Sequence, residues 1–300
     1  MLSLLTITTL SVAPNFDSFL TQSLGKWTGA SFSWQKTSGE PSIVPLGVAP
    51  GFVSVPTPCS TEVTEIMRSC GGAVQGVQEE RQCQPADGTV ALNRQVDGTT
   101  FFSYGSWAVA PPMLSDAEES DMLSSTSTFG LSVCLAHADE TRRRLLVVVS
   151  DGELVCCDVA VEGRGAEDCD AAAALLEPRL QCITEANSWE GGATKLVLSG
   201  TCAGGDWLNA RTKWELSEGE VEGGAPLVPS ADGDDQDVAY MPGGSWVRIG
   251  GGKNGKRKII EVGSVAAEAA EVKVIRHEYE KVEAVFALSK VVFEKVQAME

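Results

Sequence analysis

Histidine and tyrosine are almost missing from this chain, with two and three copies in 300 residues. His137 and His277 are too few to build a histidine-rich metal centre. The nine cysteines, at 59, 70, 83, 134, 156, 157, 169, 182 and 202, include no Cys-x-x-Cys pair and fit no zinc spacing. Cations are also in short supply. Lys and Arg total 23 against 41 Asp and Glu, a net charge of −18. That balance disfavours nucleic acid and anionic lipid as main partners, apart from local basic stretches at Arg142–Arg144 and Lys253–Lys258. No apolar run reaches the about 18 residues a membrane-crossing helix needs. Met1–Val12 is apolar but lacks the basic start of a signal peptide. Nucleotide and hydrolase signatures are missing as well. There is no Gly-x-Gly-x-x-Gly, no P-loop and no Gly-x-Ser-x-Gly, and the Gly250–Gly255 stretch GGGKNG lacks the Lys-[Ser/Thr] ending of a phosphate loop.

What is present is turn-rich and repeated. Thirty-one glycines and thirteen prolines break the chain into short segments. Lys26-Trp27-Thr28-Gly29 returns as Ser188-Trp189-Glu190-Gly191, and Gly105-Ser106-Trp107 returns as Gly244-Ser245-Trp246. The apolar pair Leu145–Ser150 and Gly152–Val161 is matched by Val272–Glu278 and Val282–Phe293. The three landmarks keep their order, which predicts two copies of one β-rich unit. A short helix capped by Asn15 or Asp17 precedes the first copy, with Phe16, Phe19 and Leu20 as its apolar stripe. Trp27–Gln35 reads as a strand and residues 36–60 as a long loop. Thr61–Cys70, Gly72–Gln82, Thr99–Val109 and Thr128–His137 read as further strands. Arg143–Ser150, the Asp151-Gly152 turn and Glu153–Glu162 form the clearest hairpin. Ala171–Leu176 reads as a short helical connection.

In the second half, strands are expected around Leu180–Ala186, Ala193–Thr201, Thr212–Leu216, Val238–Met241, Ser245–Ile249 and Lys258–Gly263. Ser217–Gln236 reads as an acidic exposed loop. Ala270–Glu280 and Val282–Lys295 mix helix-favouring Ala and Glu with strand-favouring Val, and the repeat favours strands. The expected fold is all-β: two antiparallel β-barrel units in tandem with few short helices, over 15–165 and 178–296, joined by a linker or short helix at 166–177. Glycines beside the tryptophans would permit close approach of neighbouring strands. The thiols read as small buried hydrophobes, ahead of disulfides or a catalytic thiol, with Cys156 and Cys157 on opposite strand faces.

Five stretches carry a family resemblance. They are Phe16–Phe32 (FDSFLTQSLGKWTGASF), Thr141–Arg164 (TRRRLLVVVSDGELVCCDVAVEGR), Tyr240–Ile249 (YMPGGSWVRI), Ile260–Arg276 (IEVGSVAAEAAEVKVIR) and the closing strand to Lys295. In these the chain resembles a lipocalin-like family of photosynthetic organisms, comprising a large domain of unknown function and the related S-type phycobiliprotein lyases. The resemblance implies up-and-down calycin barrels. For the lyase branch it implies carriage of a linear tetrapyrrole bilin to a cysteine of an apo-phycobiliprotein, where a thioether forms. The chain departs from that branch in its doubled length, its acidic loop and Ser264, where relatives carry Trp.

The expected function is therefore binding and carriage of a bilin or a related apolar pigment or lipid, with assistance to chromophore attachment as its enzymatic extension. The alternative is a noncatalytic assembly scaffold of a plastid or photosynthetic complex. No cofactor is required, the bilin being the ligand. The implied partner is an apo-phycobiliprotein or another photosynthetic protein, and the implied location is the chloroplast or another soluble intracellular compartment.

A bilin host needs an apolar wall, cations for two propionates and an acceptor for pyrrole N–H groups. Trp107 and Trp246 are wall candidates, with core plugs as the alternative. Tyr104 and Tyr240 offer hydroxyl handles, or else pack at the rim. Arg144, Arg248 and Arg276 are propionate candidates, since a guanidinium within an apolar strand needs a partner or water. Ion pairs to Glu261, Glu278 or another carboxylate are the alternative. Glu261 could accept from pyrrole N–H groups, or else sit on the surface. A lyase built this way would act by holding and orienting the bilin, the acceptor's thiolate supplying the nucleophile.

Overall fold

The computed structural model describes residues 16–36, 51–67, 74–83, 88–93, 99–102, 105–109, 128–150, 153–164, 189–201, 213–223, 238–241, 243–251, 257–266, 271–282 and 285–294. Helix α1 (Phe16–Ser23) leads into β1 (Gly25–Lys36), followed by β2 (Gly51–Val53), β3 (Thr57–Met67), β4 (Val74–Cys83), β5 (Gly88–Asn93), β6 (Thr99–Phe101), β7 (Trp107–Val109), β8 (Thr128–Ala136), β9 (Thr141–Ser150) and β10 (Glu153–Arg164). The second half supplies β11 (Trp189–Thr201), β12 (Lys213–Gly223), β13 (Val238–Met241), β14 (Ser245–Gly251), β15 (Arg257–Ala266), β16 (Glu271–Val282) and β17 (Val285–Glu294). Every described ladder is antiparallel. Among the described residues no helix is long and apolar enough to cross a membrane.

Several segments differ from the sequence reading. Residues 36–60 include β2 and the start of β3. Thr99–Val109 is a hairpin rather than one strand, because Gly105 takes a left-handed φ of 81° and turns the chain between β6 and β7. The acidic segment beginning at Ser217 is paired strand as far as Gly223, since its backbone bonds to β11 whatever its side-chain polarity. The two ambiguous terminal segments, by contrast, are strands β16 and β17 as the repeat predicts, paired along their length. The proposed helix at Ala171–Leu176 and the strand at Leu180–Ala186 lie outside the described residues.

The strands form two sheets. The first runs β5-β4-β3-β1-β10-β9-β8-β7-β6, with β2 also on β1, and the second runs β12-β11-β17-β16-β15-β14-β13. The second order repeats the first from β3 to β6, position by position. Local geometry repeats too. Phe101 faces Trp107 across one hairpin and Tyr240 faces Trp246 across the other, and Gly105 and Gly244 share left-handed φ values of 81° and 75°.

The first sheet is curled. One apolar cluster takes Val63, Val77 and Leu92 from its β3–β5 flank and Phe101, Trp107 and Cys134 from its β6–β8 flank. Helix α1 packs Phe16 and Phe19 into that cluster, with the Phe16 and Phe101 rings edge to face at 5.1 Å. The described ladders join neither β5 to β6 nor β12 to β13, so the first sheet is an open half-barrel rather than a closed barrel, and a second closed unit is not among the described pairings.

Strand alternation assigns the two faces. Phe32, Val133, Leu145, Val147 and Val159 leave the convex side of the first sheet and meet Val247, Ile260, Val262 and Ile275 of the second in one apolar core. Three polar contacts pin that seam. His137 Nε2 and Ser264 Oγ share a 2.6 Å hydrogen bond, Lys273 Nζ donates to Ala136 O at 2.5 Å, and Arg143 Nε donates to Gly243 O at 3.3 Å.

Candidate ligand-binding site

Inside the curled first sheet, the ladders line up two rows of residues. One reads Ala136, Arg142, Glu162, Gly29, Cys59, Cys83 across β8, β9, β10, β1, β3 and β4. The next reads Trp107, Cys134, Arg144, Ala160, Ser31, Thr57. Arg142, Arg144 and Glu162 therefore project from one face toward Glu79 and Arg81 of β4 and form a buried charged layer.

Glu162 is the hub of this layer. Arg142 Nε and Arg144 Nε donate to its Oε2 at 2.8 Å each, and Thr61 Oγ1 and Arg144 Nη2 donate to Oε1 at 2.5 and 3.0 Å. Arg81 Nη2 donates to Glu79 Oε2 at 2.7 Å, and Arg142 Nη1 donates to Glu79 Oε1 at 3.4 Å. Burial pushes both carboxyls up, yet the guanidiniums more than offset it and hold both below the usual carboxylate range. Burial also opposes the charge on Arg144, and Glu162 overcomes it to raise the Arg144 pKa. The Arg142 guanidinium lies 4.4 Å above the Trp27 ring, and Trp27 Nε1 donates to Ser23 O at the end of α1.

Cys59 and Cys83 are bonded as a disulfide between β3 and β4, which corrects the expectation of inert thiols at these two positions. Arg144 Nη2 lies 3.4 Å from Cys83 Sγ. Cys134 does behave as a buried thiol, its pKa pushed up to about 12 by burial. Cys156 is half-buried and Cys157 buried, on opposite faces as expected. The sulfurs of Cys59 and Cys83 and a Glu162 oxygen lie within 4.8 Å of one another, a set able to hold a metal ion once the disulfide is opened. In the oxidised state the sulfurs are spent on each other and Glu162 on its donors. Removing the bridge with Cys59→Ala and Cys83→Ala should cost about 2–4 kcal/mol, read as a lower urea midpoint with an unchanged fold at room temperature.

The charged layer floors a recess of about 40 Å³ at the end of the half-barrel opposite α1, lined by Ser31, Arg81, Cys83, Ser132, Arg144 and Asp158 among others. A tetrapyrrole needs a pocket of several hundred Å³, so this recess suits only a small molecule or one end of a larger one.

The sequence candidates divide between the sheets. Trp107 is buried in the α1 cluster and plugs the first unit, while Arg144 is the ion-paired group just described. Tyr104 lies outside the described residues. The other five share the face of the second sheet turned from the common core. Tyr240 pairs with Trp246 and Trp246 with Gly263, and Arg248 pairs with Glu261 and Glu261 with Arg276. A Cβ on Gly263 would stand 2.0 Å from Trp246 Cζ2, so glycine is what lets the indole lie flat on β15. Glu261 is buried rather than on the surface, and accepts from Arg248 Nη2 at 3.0 Å and Arg276 Nε at 2.9 Å. The two guanidiniums keep more than a quarter of their side-chain surface exposed. Trp246 Nε1 is buried with no hydrogen-bond partner among the described residues.

Sequence reasoning missed Glu79, Arg81, Glu162 and the Cys59–Cys83 pair. Arg142 and Arg144 share strand parity, which is the one signal that could have marked an inward-facing pair.

No family model matches the sequence, and the curated proteins give no match. Among solved structures, the chain is similar to a protein of unknown function from the DUF3598 family of Nostoc punctiforme. The identity is 17%, the coverage 93% of this chain and 98% of that one, and the TM-score 0.55. A putative outer membrane protein of Bacteroides fragilis aligns at 9% identity over 93% and 99% of the two chains, with a TM-score of only 0.18. The first likeness, over nearly the whole of both chains, supports a shared antiparallel β fold. That fold and the lined recess are consistent with ligand binding in general.

Proposed function

We propose that this protein carries a bilin or a related apolar pigment bearing carboxylates on the Trp246 face of its second unit. The observation that supports this best is the row Arg248–Glu261–Arg276 beside Tyr240 and Trp246. Two partly exposed guanidiniums meet one buried carboxylate beside Tyr240 and Trp246, whose indole N–H has no partner among the described residues. The exposed edges of the two guanidiniums can receive a propionate through charge-assisted hydrogen bonds. On this reading the chain comprises two β units, 15–165 and 178–296, linked by 166–177, with the first as support because Trp107 and α1 fill one end of its interior and the recess at the other end is too small for a bilin. The partner is an apo-phycobiliprotein or another photosynthetic protein of the plastid, and assistance to thioether formation consists of presenting the bilin.

Purified protein mixed with phycocyanobilin or phycoerythrobilin should show a red-shifted, sharpened absorption band and saturable fluorescence. The Arg248→Gln, Arg276→Gln double variant should weaken that binding at least about tenfold, two charge-assisted contacts being lost. A spectrum identical to that of free bilin, with other plastid pigments and fatty acids failing as well, would leave the scaffold role in its place.

A further inference from the structure

The half-barrel recess of the first unit has a chemistry of its own, independent of the second unit's face. Its inner end is cationic. Arg81 spends Nε and Nη2 on Glu79, and Arg144 spends Nε and Nη2 on Glu162, Thr61 and the disulfide sulfurs. Among the described residues, Nη1 of each has no partner, and both residues line the recess. Its outer end is anionic. Asp158 also lines the recess, two positions before Ala160 on the same face of β10, and among the described residues only its Oδ1 is engaged, by Ser33 Oγ at 2.5 Å. Ser132 adds a hydroxyl to the wall.

The ionised groups in and under the recess balance. Arg81, Arg142 and Arg144 stand against Glu79, Glu162 and Asp158, so a bare anion or bare cation would leave an uncompensated charge, which is costly where water is scarce. A neutral molecule with separated poles would not. The size of the recess admits one small polar head and leaves the rest of the molecule at the mouth, where Leu146 is 39% exposed.

We propose that this recess binds a small zwitterion of the α-amino-acid class, its carboxylate received by Arg81 and Arg144 and its ammonium by Asp158. The side chain points out past Leu146, so the site selects for the backbone end and tolerates varied substituents.

Titration calorimetry of the full chain with alanine, acetate and ethylamine tests this directly. Alanine should bind saturably, and at least about tenfold more tightly than either single-charge probe, one well-placed ionic contact being worth that factor. Asp158→Asn should remove that preference, alanine losing affinity while acetate binds at least as tightly as before, since the recess then carries a spare positive charge. Ser132→Leu, which fills the recess from a half-buried wall position, should abolish binding of all three, with each variant's thermal unfolding confirming its fold. Acetate binding as tightly as alanine, an Asp158→Asn variant that keeps the preference, or no saturable heat with alanine would each overturn the assignment.

Discussion

Replacing Glu162 with alanine is expected to cost about 3–5 kcal/mol, because it leaves the buried guanidiniums of Arg142 and Arg144 without their shared carboxylate. A domain's entire stability is of order 5–15 kcal/mol, so the variant should unfold near room temperature or fail to accumulate. Urea denaturation measures the loss. A triple variant with Arg142, Arg144 and Glu162 all changed to leucine should regain much of it, since apolar groups of similar volume carry no desolvation debt. If Glu162→Ala is mild, or the triple variant is the worse of the two, the layer does not hold the fold as described. The same layer sets the acid limb of stability. Glu79 and Glu162 titrate lower in the folded protein than the about 4.3 of an unfolded glutamate. Their contribution is therefore complete above that pH and is lost as pH falls below it toward their folded values. Glu162→Gln should flatten this dependence.

Gly29→Ala should be equally severe from a different cause. A Cβ there would stand 1.8 Å from the backbone carbonyl oxygen of Val161 on β10, with Glu162 Cα at 2.8 Å. The obstacle is backbone in the middle of a ladder, so no rotamer change relieves it. The loss should exceed the about 1–3 kcal/mol of ordinary overpacking, because β1 must part from β10. Gly250→Ala is the matched control. Among the described residues nothing lies within 4 Å of its added Cβ, and its effect should stay within about 0.5 kcal/mol. Equal thermal shifts for the two variants would remove the steric argument.

Much of the architecture was legible because it is local. The β9–β10 hairpin announced itself through Asp151-Gly152 between two apolar runs, and Gly29, two residues after Trp27, was recognisable as a place where something must come close, whereas the contact of Gly263 with Trp246 needed the register of β14 and β15. The charged layer was not legible, and one residue explains much of the reason. Counting back evenly from the turn pairs Arg142 with Val161 and sends Glu162 to the opposite face. The ladder instead slips between Leu154 and Cys156, bulging at Val155, and this brings Arg142 opposite Glu162. An apolar strand gives no sign of where it will bulge. Glu79 and Arg81 were hidden for another reason. They sit in a charged run, Gln78 to Gln82, that reads as a solvated edge until β3 and the curl of the sheet bury one parity of it. The strand expected around Thr212–Leu216 is the start of β12, but its acidic continuation from Ser217 to Gly223 was missed because its strand state comes from pairing with β11 and not from its own composition. On the second sheet, alternation alone put Trp246 and Arg248 on one face, whereas the partnership of Glu261 with both arginines required the registers of β14, β15 and β16.

In each sheet the opening strand takes its partner from the end of the unit: β1 pairs with β10 and β11 with β17. A chain emerging from the ribosome therefore exposes β1 long before β10 exists, and presents Arg142 and Arg144 before the carboxylate that neutralises both. Vectorial synthesis runs against this topology twice over. Each unit can complete its central ladder only when its final strand has cleared the exit tunnel, so long-range pairing rather than hairpin formation sets the pace of folding. The nascent chain spends that interval with open strand edges and unmatched charge, and in that interval a holding chaperone would matter most to its yield.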